Sequence, residues 1–368
     1  MSGLPQEKEY ASAAAAATTL SMAAAEPSLT PTRIISDGAQ ARESPPLASL
    51  GADYNDGSQE YLEPDDNFDT DSTLGDDNAS STASLTSSVL NYQYENGRRY
   101  HAYRAGAYPL PNDETEQERM DMQHHIYQLI FGGDLYRAPL PAQVGHVLDI
   151  GCGTGIWAID FADQHPEANV LATDLSLIQP SWVPPNLHFE VDDAELPWQY
   201  SRKFDYIHLR SMAGSIADWP RILRQAYDNL VPGGWIEVMD FETWATTDDN
   251  SLPEASSYHE FQVKLSEAAK VFGKEMNVSP QFKRFVTEAG FTSVTEELKK
   301  TPLSPWAKDK KLKKLGMYMN VQMMASIEPY SLALFSRVFE WDNNRIQALL
   351  AGVRQDLRNL DYHMYSVV

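Results

Sequence analysis

A chain of 368 residues, 42% apolar and 22% charged, is long enough to bury one large core or two ordinary ones, which excludes a small stapled scaffold. Its one cysteine excludes a disulfide framework and a cysteine-clustered zinc site, and points to a reducing compartment, cytoplasm or nucleus. Twenty-nine bases against 52 acids give a net charge of -23, so direct binding to a nucleic-acid backbone over the whole surface is disfavoured.

The first 89 residues read as a disordered leader. Residues 1–95 carry sixteen acids and three bases, residues 13–17 are all alanine, and ten of residues 70–88 are Ser or Thr. Such a composition buries too little apolar surface to offset the entropy of ordering. The uncharged stretch from Tyr10 to Ala25 is alanine-rich, too short to span a bilayer, and preceded by Glu7, Lys8 and Glu9 rather than a basic segment. A protein with no membrane segment is expected.

A folded domain is expected over residues 90–368. It opens with tyrosines (Tyr92, Tyr94, Tyr100, Tyr103, Tyr108) interleaved with Arg98, Arg99, His101 and Arg104. Residues 114–131 suit a helix ended by Gly132-Gly133. His146–Ile150 reads as an apolar strand, and Ile156–Phe161 opens a helix. Val170–Thr173, Leu187–Val191, Phe204–Leu209 and Trp235–Met239 read as further strands. Between the last two, Trp219, Ile222, Leu223, Ala226, Tyr227 and Leu230 recur at helical spacing on one face. The alternation predicts a Rossmann-like α/β fold, a mostly parallel sheet covered on both sides. Further on, Gln281–Ala289 reads as a helix capped by Gly290, Phe291–Leu298 as a strand, residues 309–358 as helical and residues 362–368 as a last strand. The expected plan is a core over residues 145–298 and a helical insertion over 305–358.

The chemistry-bearing segment is Asp149-Ile150-Gly151-Cys152-Gly153-Thr154-Gly155, a strand running through a glycine loop into a helix. Glycines there let the backbone turn sharply and approach a ligand closely. The dinucleotide fingerprint would need glycine at 156, where Ile156 stands, and no Gly-Lys-Ser/Thr follows, so both phosphate-binding patterns fail. Asp174 ends the second strand and Asp193-Ala194 follows the third. Taken singly, the loop could be any tight turn, Asp174 a helix cap and Asp193 a solvated acid. In this order and spacing, Asp-x-Gly-x-Gly-x-Gly with these two acids resembles the class I S-adenosylmethionine-dependent methyltransferases, as do Phe204-Asp205-Tyr206-Ile207 and Leu230-Val231-Pro232-Gly233-Gly234-Trp235.

The resemblance implies a seven-stranded sheet and S-adenosyl-L-methionine as cofactor. The site it implies is Asp149, Gly151, Gly153 and Gly155 for the loop, Asp174 for the ribose hydroxyls, and Asp193 with Ala194 for the adenine. No metal is implied, and no catalytic base is assigned: His101, His208 and the acids near the pocket are candidates, and nothing in the sequence ranks them. Tyr100 and Trp157 are considered as aromatic neighbours of the sulfonium. Cys152, without a neighbour that would lower its pKa, is given no chemistry. Asn-Pro-Pro-Tyr is absent after the fourth strand, where His208-Leu209-Arg210-Ser211 stands, which counts against base methylation.

Outside this core, Tyr94 to His101, Pro111-Asn112-Asp113-Glu114 and Leu303-Ser304-Pro305-Trp306 resemble fungal LaeA-like methyltransferases. That narrower resemblance implies a regulator of secondary metabolism or development, with velvet-domain proteins as partners and a nuclear location. Its alternatives are a tailoring methyltransferase for a small metabolite and a non-catalytic cofactor-binding module of a transcriptional complex. It also suggests that the Tyr/Arg/His segment either folds over the cofactor, with Arg98, Arg99 or Arg104 on its carboxylate, or forms a surface arm. Lys308, Lys310, Lys311, Lys313 and Lys314 form either an import signal or, with Leu312 and Leu315 among them, a solvated helix face.

Overall fold

A computed structural model describes residues 92–104, 106 and 108–368; the acidic leader expected over residues 1–89 lies outside the described residues. The chain begins with a small hairpin, β1 (Gln93–Glu95) and β2 (Arg98–Tyr100), turned by Asn96-Gly97 in left-handed conformations. Helix α1 (Glu114–Ile130) follows, its first turn capped by the Asp113 carboxylate, which accepts from the Glu116 N–H.

The alternating core then runs β3 (His146–Ile150), α2 (Ile156–Gln164), β4 (Asn169–Asp174), β5 (Leu187–Val191), β6 (Phe204–Arg210), α3 (Trp219–Asn229) and β7 (Leu230–Met239). All five strands are parallel, in the order β5-β4-β3-β6-β7. Period-two alternation decides what each face meets. Val147 and Tyr206 point to one side and pack with Trp157, Phe161 and Val170. Leu148, Ile150, Ile207 and Leu209 point to the other and meet Ile222 and Ala226 of α3. Trp219, Ile222, Leu223 and Ala226 form the buried stripe of that helix. Truncating Ile222 to alanine would cost about 2–5 kcal/mol.

The expected seven-stranded sheet is corrected here. Five strands form the parallel sheet, while β8 (Lys300–Pro302) and β9 (Tyr365–Val367) pair antiparallel with each other. Strand β9 is stitched to the chain beyond β7: the Glu242 N–H donates to the Val367 carbonyl at 2.7 Å, and Thr246 bridges Tyr365. The strand expected over Phe291–Leu298 does not form. Ser293 takes a φ of 57°, Val294 packs beside Leu223 and Val286, and pairing starts only where Lys299 meets Val368.

Helices α4 (Ser257–Phe272) and α5 (Phe282–Glu288) precede β8; α6 (Lys310–Phe339) and α7 (Asn343–Arg358) stand between β8 and β9. Helices α4, α6 and α7 share an apolar core of Phe261, Leu265, Leu332, Phe335, Ile346 and Leu350, which Ile126 of α1 joins. The 309–358 stretch breaks into two helices at Glu340, whose φ of 55° ends the first. Among the described residues, no helix is long and apolar enough to cross a membrane.

Candidate active site

The crevice lies at the carboxyl edge of the sheet, where β3, β4, β5 and β6 end and their loops diverge. At the end of β3 the Gly151 and Cys152 N–H groups both donate to the Thr173 carbonyl, at 2.8 and 3.0 Å, folding the loop back onto β4. Gly151, Gly153 and Gly155 have φ of 68°, 57° and 80°, a region costly for any residue with a Cβ. A Cβ at Gly151 would collide with Met212 Sδ, and one at Gly155 with the Phe189 ring. Gly151 and Gly153 line the crevice; Gly155 does not, and serves instead as the left-handed entry to α2.

The three acids read from the sequence converge on this crevice. Asp174 accepts from the Gly153 N–H at 2.9 Å through Oδ2 and from the Ser176 N–H at 2.8 Å through Oδ1, so the carboxylate itself positions the loop. Burial pushes its pKa up to about 6, with those N–H donors opposing the rise. Asp193 and Ala194 line the far end, where Asp193 accepts from the Glu195 N–H at 2.9 Å and lies 3.3 Å from Arg104. Asp149 and His208 are register partners on neighbouring strands and point to the same face. They meet at 2.7 Å, and Trp157 stacks flat on the imidazole with ring centroids 3.6 Å apart. Asp149 Oδ2 and His208 Nε2 are both buried without a partner, although both residues line the crevice. Orphaned polar atoms of this kind cost free energy unless a ligand or water satisfies them.

Comparison with known proteins accords with this geometry. The methyltransferase domain family matches residues 122–296. The methyltransferase pytC of Aspergillus terreus is 43% identical over 288 residues, covering 78% of this chain and 89% of that protein. The secondary metabolism regulator laeA of Aspergillus flavus is 37% identical over 298 residues, covering 80% of each. A solved phosphoethanolamine N-methyltransferase 2 of Haemonchus contortus, in complex with S-adenosyl-L-methionine, is similar at 16% identity and a TM-score of 0.39, covering 78% of this chain and 71% of that one. The chain belongs to the S-adenosylmethionine-dependent methyltransferases. S-adenosylmethionine is therefore the cofactor, and the residues present fit it: a glycine loop that admits close approach, strand-end carboxylates for hydroxyl and amine donors, and the unpartnered Asp149 Oδ2.

The segment ahead of α1 straps across the methyltransferase crevice. Tyr92 donates its hydroxyl to the Leu177 carbonyl at 3.0 Å, and Asn112 donates to Ser176 Oγ at 3.2 Å. Its arginines are spent on protein partners. Arg98 forks onto Asp113 at 2.6 and 2.8 Å, Arg99 reaches Asn112 and Glu114, and Arg104 faces Asp193. Tyr100 and His101 do not line the crevice; Tyr100 sits under Arg337 and His101 bonds the Arg104 carbonyl. Burial, with Asp174 and Asp149 nearby, drives the Cys152 thiol well above its ordinary pKa, in keeping with an inert filler.

Sequence reasoning missed the far wall altogether. It comes from α1, the end of β6 and α6, and includes Arg119, His124, Arg210 and Tyr330. Arg119 is buried and paired with the equally buried Glu116 at 2.6 Å, with its guanidinium 5.6 Å from the Tyr330 ring. The only signal available beforehand was the density of charged residues in a helix that also had to pack, Glu116, Arg119 and His124 on one side of α1.

Proposed function

We propose that this methyltransferase modifies a small molecule of secondary metabolism, with the cofactor lying across the strand ends from β5 to β3. Asp174 accepts the ribose hydroxyls, Asp193 takes the exocyclic amine of adenine, and the Ala194 N–H faces the ring. Gly151 and Gly153 give the amino-acid end close contact with backbone, and Asp149 Oδ2 accepts from its ammonium. Bound there, the cofactor supplies an electrophilic methyl group on a sulfonium. The chain's part is to hold donor and acceptor in line and keep water out.

The observation that supports a small acceptor is the partial covering of the crevice. Tyr108 and Leu110 of the strap, Tyr330 of α6 and Met212 after β6 line it from three separate segments. Of the two histidines of the lining, His124 is engaged at both nitrogens, 2.9 Å from Asp160 and 2.9 Å from Arg210, whereas His208 is held at Nδ1 by Asp149 at 2.7 Å and keeps Nε2 free for an acceptor that must lose a proton. An acceptor that is already a nucleophile needs no base from the protein.

Titration with S-adenosylhomocysteine tests the site. Wild type is expected to bind with micromolar-order affinity, and Asp174→Ala and Gly153→Asp to abolish binding. Full binding by both variants overturns the assignment. A second reading, regulation of secondary metabolism with velvet-domain partners, is supported by the 37% identity to laeA. Nuclear localisation with velvet-protein co-purification favours it; loss of one methylated metabolite in a deletion strain, with transcripts unchanged, favours the first.

A further inference from the structure

Three cations line the crevice, and two of them are neutralised. Arg119 pairs with Glu116 at 2.6 Å and Lys274 with Glu195 at 3.0 Å. Arg210 is held differently. Its Nη2 donates to His124 Nδ1 at 2.9 Å, and its guanidinium lies 4.8 Å from the centroid of the Tyr127 ring. A guanidinium can only donate, so Nδ1 is the accepting nitrogen and the imidazole proton sits on Nε2, which donates to Asp160 at 2.9 Å. Burial and the Arg210 charge hold the His124 pKa down to about 4, so the ring is neutral at physiological pH. The chain Asp160–His124–Arg210 thus orients the guanidinium through a neutral ring rather than a direct carboxylate contact, and the Asp149 and Glu237 carboxylates act on it only from a longer range. A carboxylate in place of His124 would have oriented and neutralised it at once.

Its place on the sheet gives that charge a use. Arg210 ends β6, which flanks β3 on the side away from β4 and β5. The purine and sugar acids lie at the β5 and β4 ends, so Arg210 is one strand beyond the glycine loop, where an acceptor must approach the methyl group. We propose that Arg210 anchors a carboxylate of the acceptor, and that the substrates of this methyltransferase are small organic acids. The inference rests on the cofactor placement given above.

Calorimetric titration of the full chain tests it, with saturating S-adenosylhomocysteine and two matched probe pairs, benzoate with benzamide and hexanoate with hexanamide. At least one acid is expected to bind at least about tenfold more tightly than its amide. Arg210→Gln is expected to remove that preference. Arg210→Lys, which keeps the charge but loses the fork, is expected to weaken it and covers the case in which the glutamine variant fails to fold. Both variants are expected to hold S-adenosylhomocysteine and 5′-methylthioadenosine within about threefold of wild type. Equal binding of acids and amides, or no binding of either acid, overturns the proposal. So does a tenfold loss of S-adenosylhomocysteine with 5′-methylthioadenosine unchanged, since only the former carries the amino-acid carboxylate; that result moves Arg210 to the cofactor and leaves the cofactor site standing. Failure of wild type to bind either nucleoside sinks the cofactor placement, and this inference with it.

Discussion

Replacing Asp174 by asparagine separates what the carboxylate does for the fold from what it does for the cofactor. The native carboxyl has a pKa near 6 against an ordinary value of 3.8, so it binds a proton more tightly folded than unfolded. The stability tied to that proton is complete below about pH 4 and lost as pH rises through 6, leaving the ionised form costing about 3 kcal/mol at pH 7.5. Asparagine removes that cost. It also offers one oxygen where the Gly153 and Ser176 N–H groups use two, leaving one donor unpaired at about 1–3 kcal/mol. The two effects cancel to within about 2 kcal/mol, and urea unfolding at pH 7.5 should show a midpoint close to wild type. Binding should not be spared. Two hydroxyls donating to an ionised carboxylate gain about 1.5–3 kcal/mol each, and one neutral bond to the amide recovers about 1, a net loss of about 2–5 kcal/mol, so S-adenosylhomocysteine should bind roughly 30- to 5,000-fold more weakly. In wild type the affinity should also fall about tenfold per pH unit below 6, as the carboxylate takes up its proton, and in Asp174→Asn this slope should vanish. A variant that binds within threefold of wild type, or that keeps the pH slope, would refute the role given to Asp174.

Three further outcomes follow from the packing. Gly155→Ala forces a Cβ into the Phe189 ring at a φ of 80°, whereas Gly233→Ala meets open space at a φ of 83°. Urea unfolding should show losses of about 2–4 kcal/mol for the first and about 1 for the second; equal losses would mean that Phe189 yields freely. Glu116→Gln strands the buried Arg119 guanidinium and should cost about 3–5 kcal/mol in the same assay, and a loss below about 0.5 would show that the pair contributes nothing. Burial pushes Asp240 up to about 7 despite the Ala213 and Phe241 N–H donors, so the folded state holds its proton more tightly than the unfolded chain. Its contribution is present below about pH 4 and lost as pH rises to 7; stability curves of wild type and Asp240→Asn should diverge across that window and run parallel outside it.

The glycine-loop side of the crevice was legible because it is built from neighbours. A strand, a glycine loop and a helix are contiguous from His146 to Gln164, and the acids at 174 and 193 fall at strand ends that short-range hydrophobic patterning locates. The antiparallel edge was not legible, since whether residues 291–298 form a strand depends on what lies opposite them. Local apolar content promised a strand there, while Ser293 turned left-handed and Val294 was claimed by α3 and α5.

Composition, periodicity and spacing determined a parallel α/β core with a glycine loop at its carboxyl edge, because those features are written within turns and strands a few residues long; what that edge binds came from its resemblance to a family. Only the tertiary structure decided what faces that edge. His124, Asp160 and Arg210 are 36 to 86 residues apart and meet because α1, α2 and β6 pack together. No local pattern records which face of α1 turns inward, since that choice belongs to the free energy of the whole core rather than to any one segment.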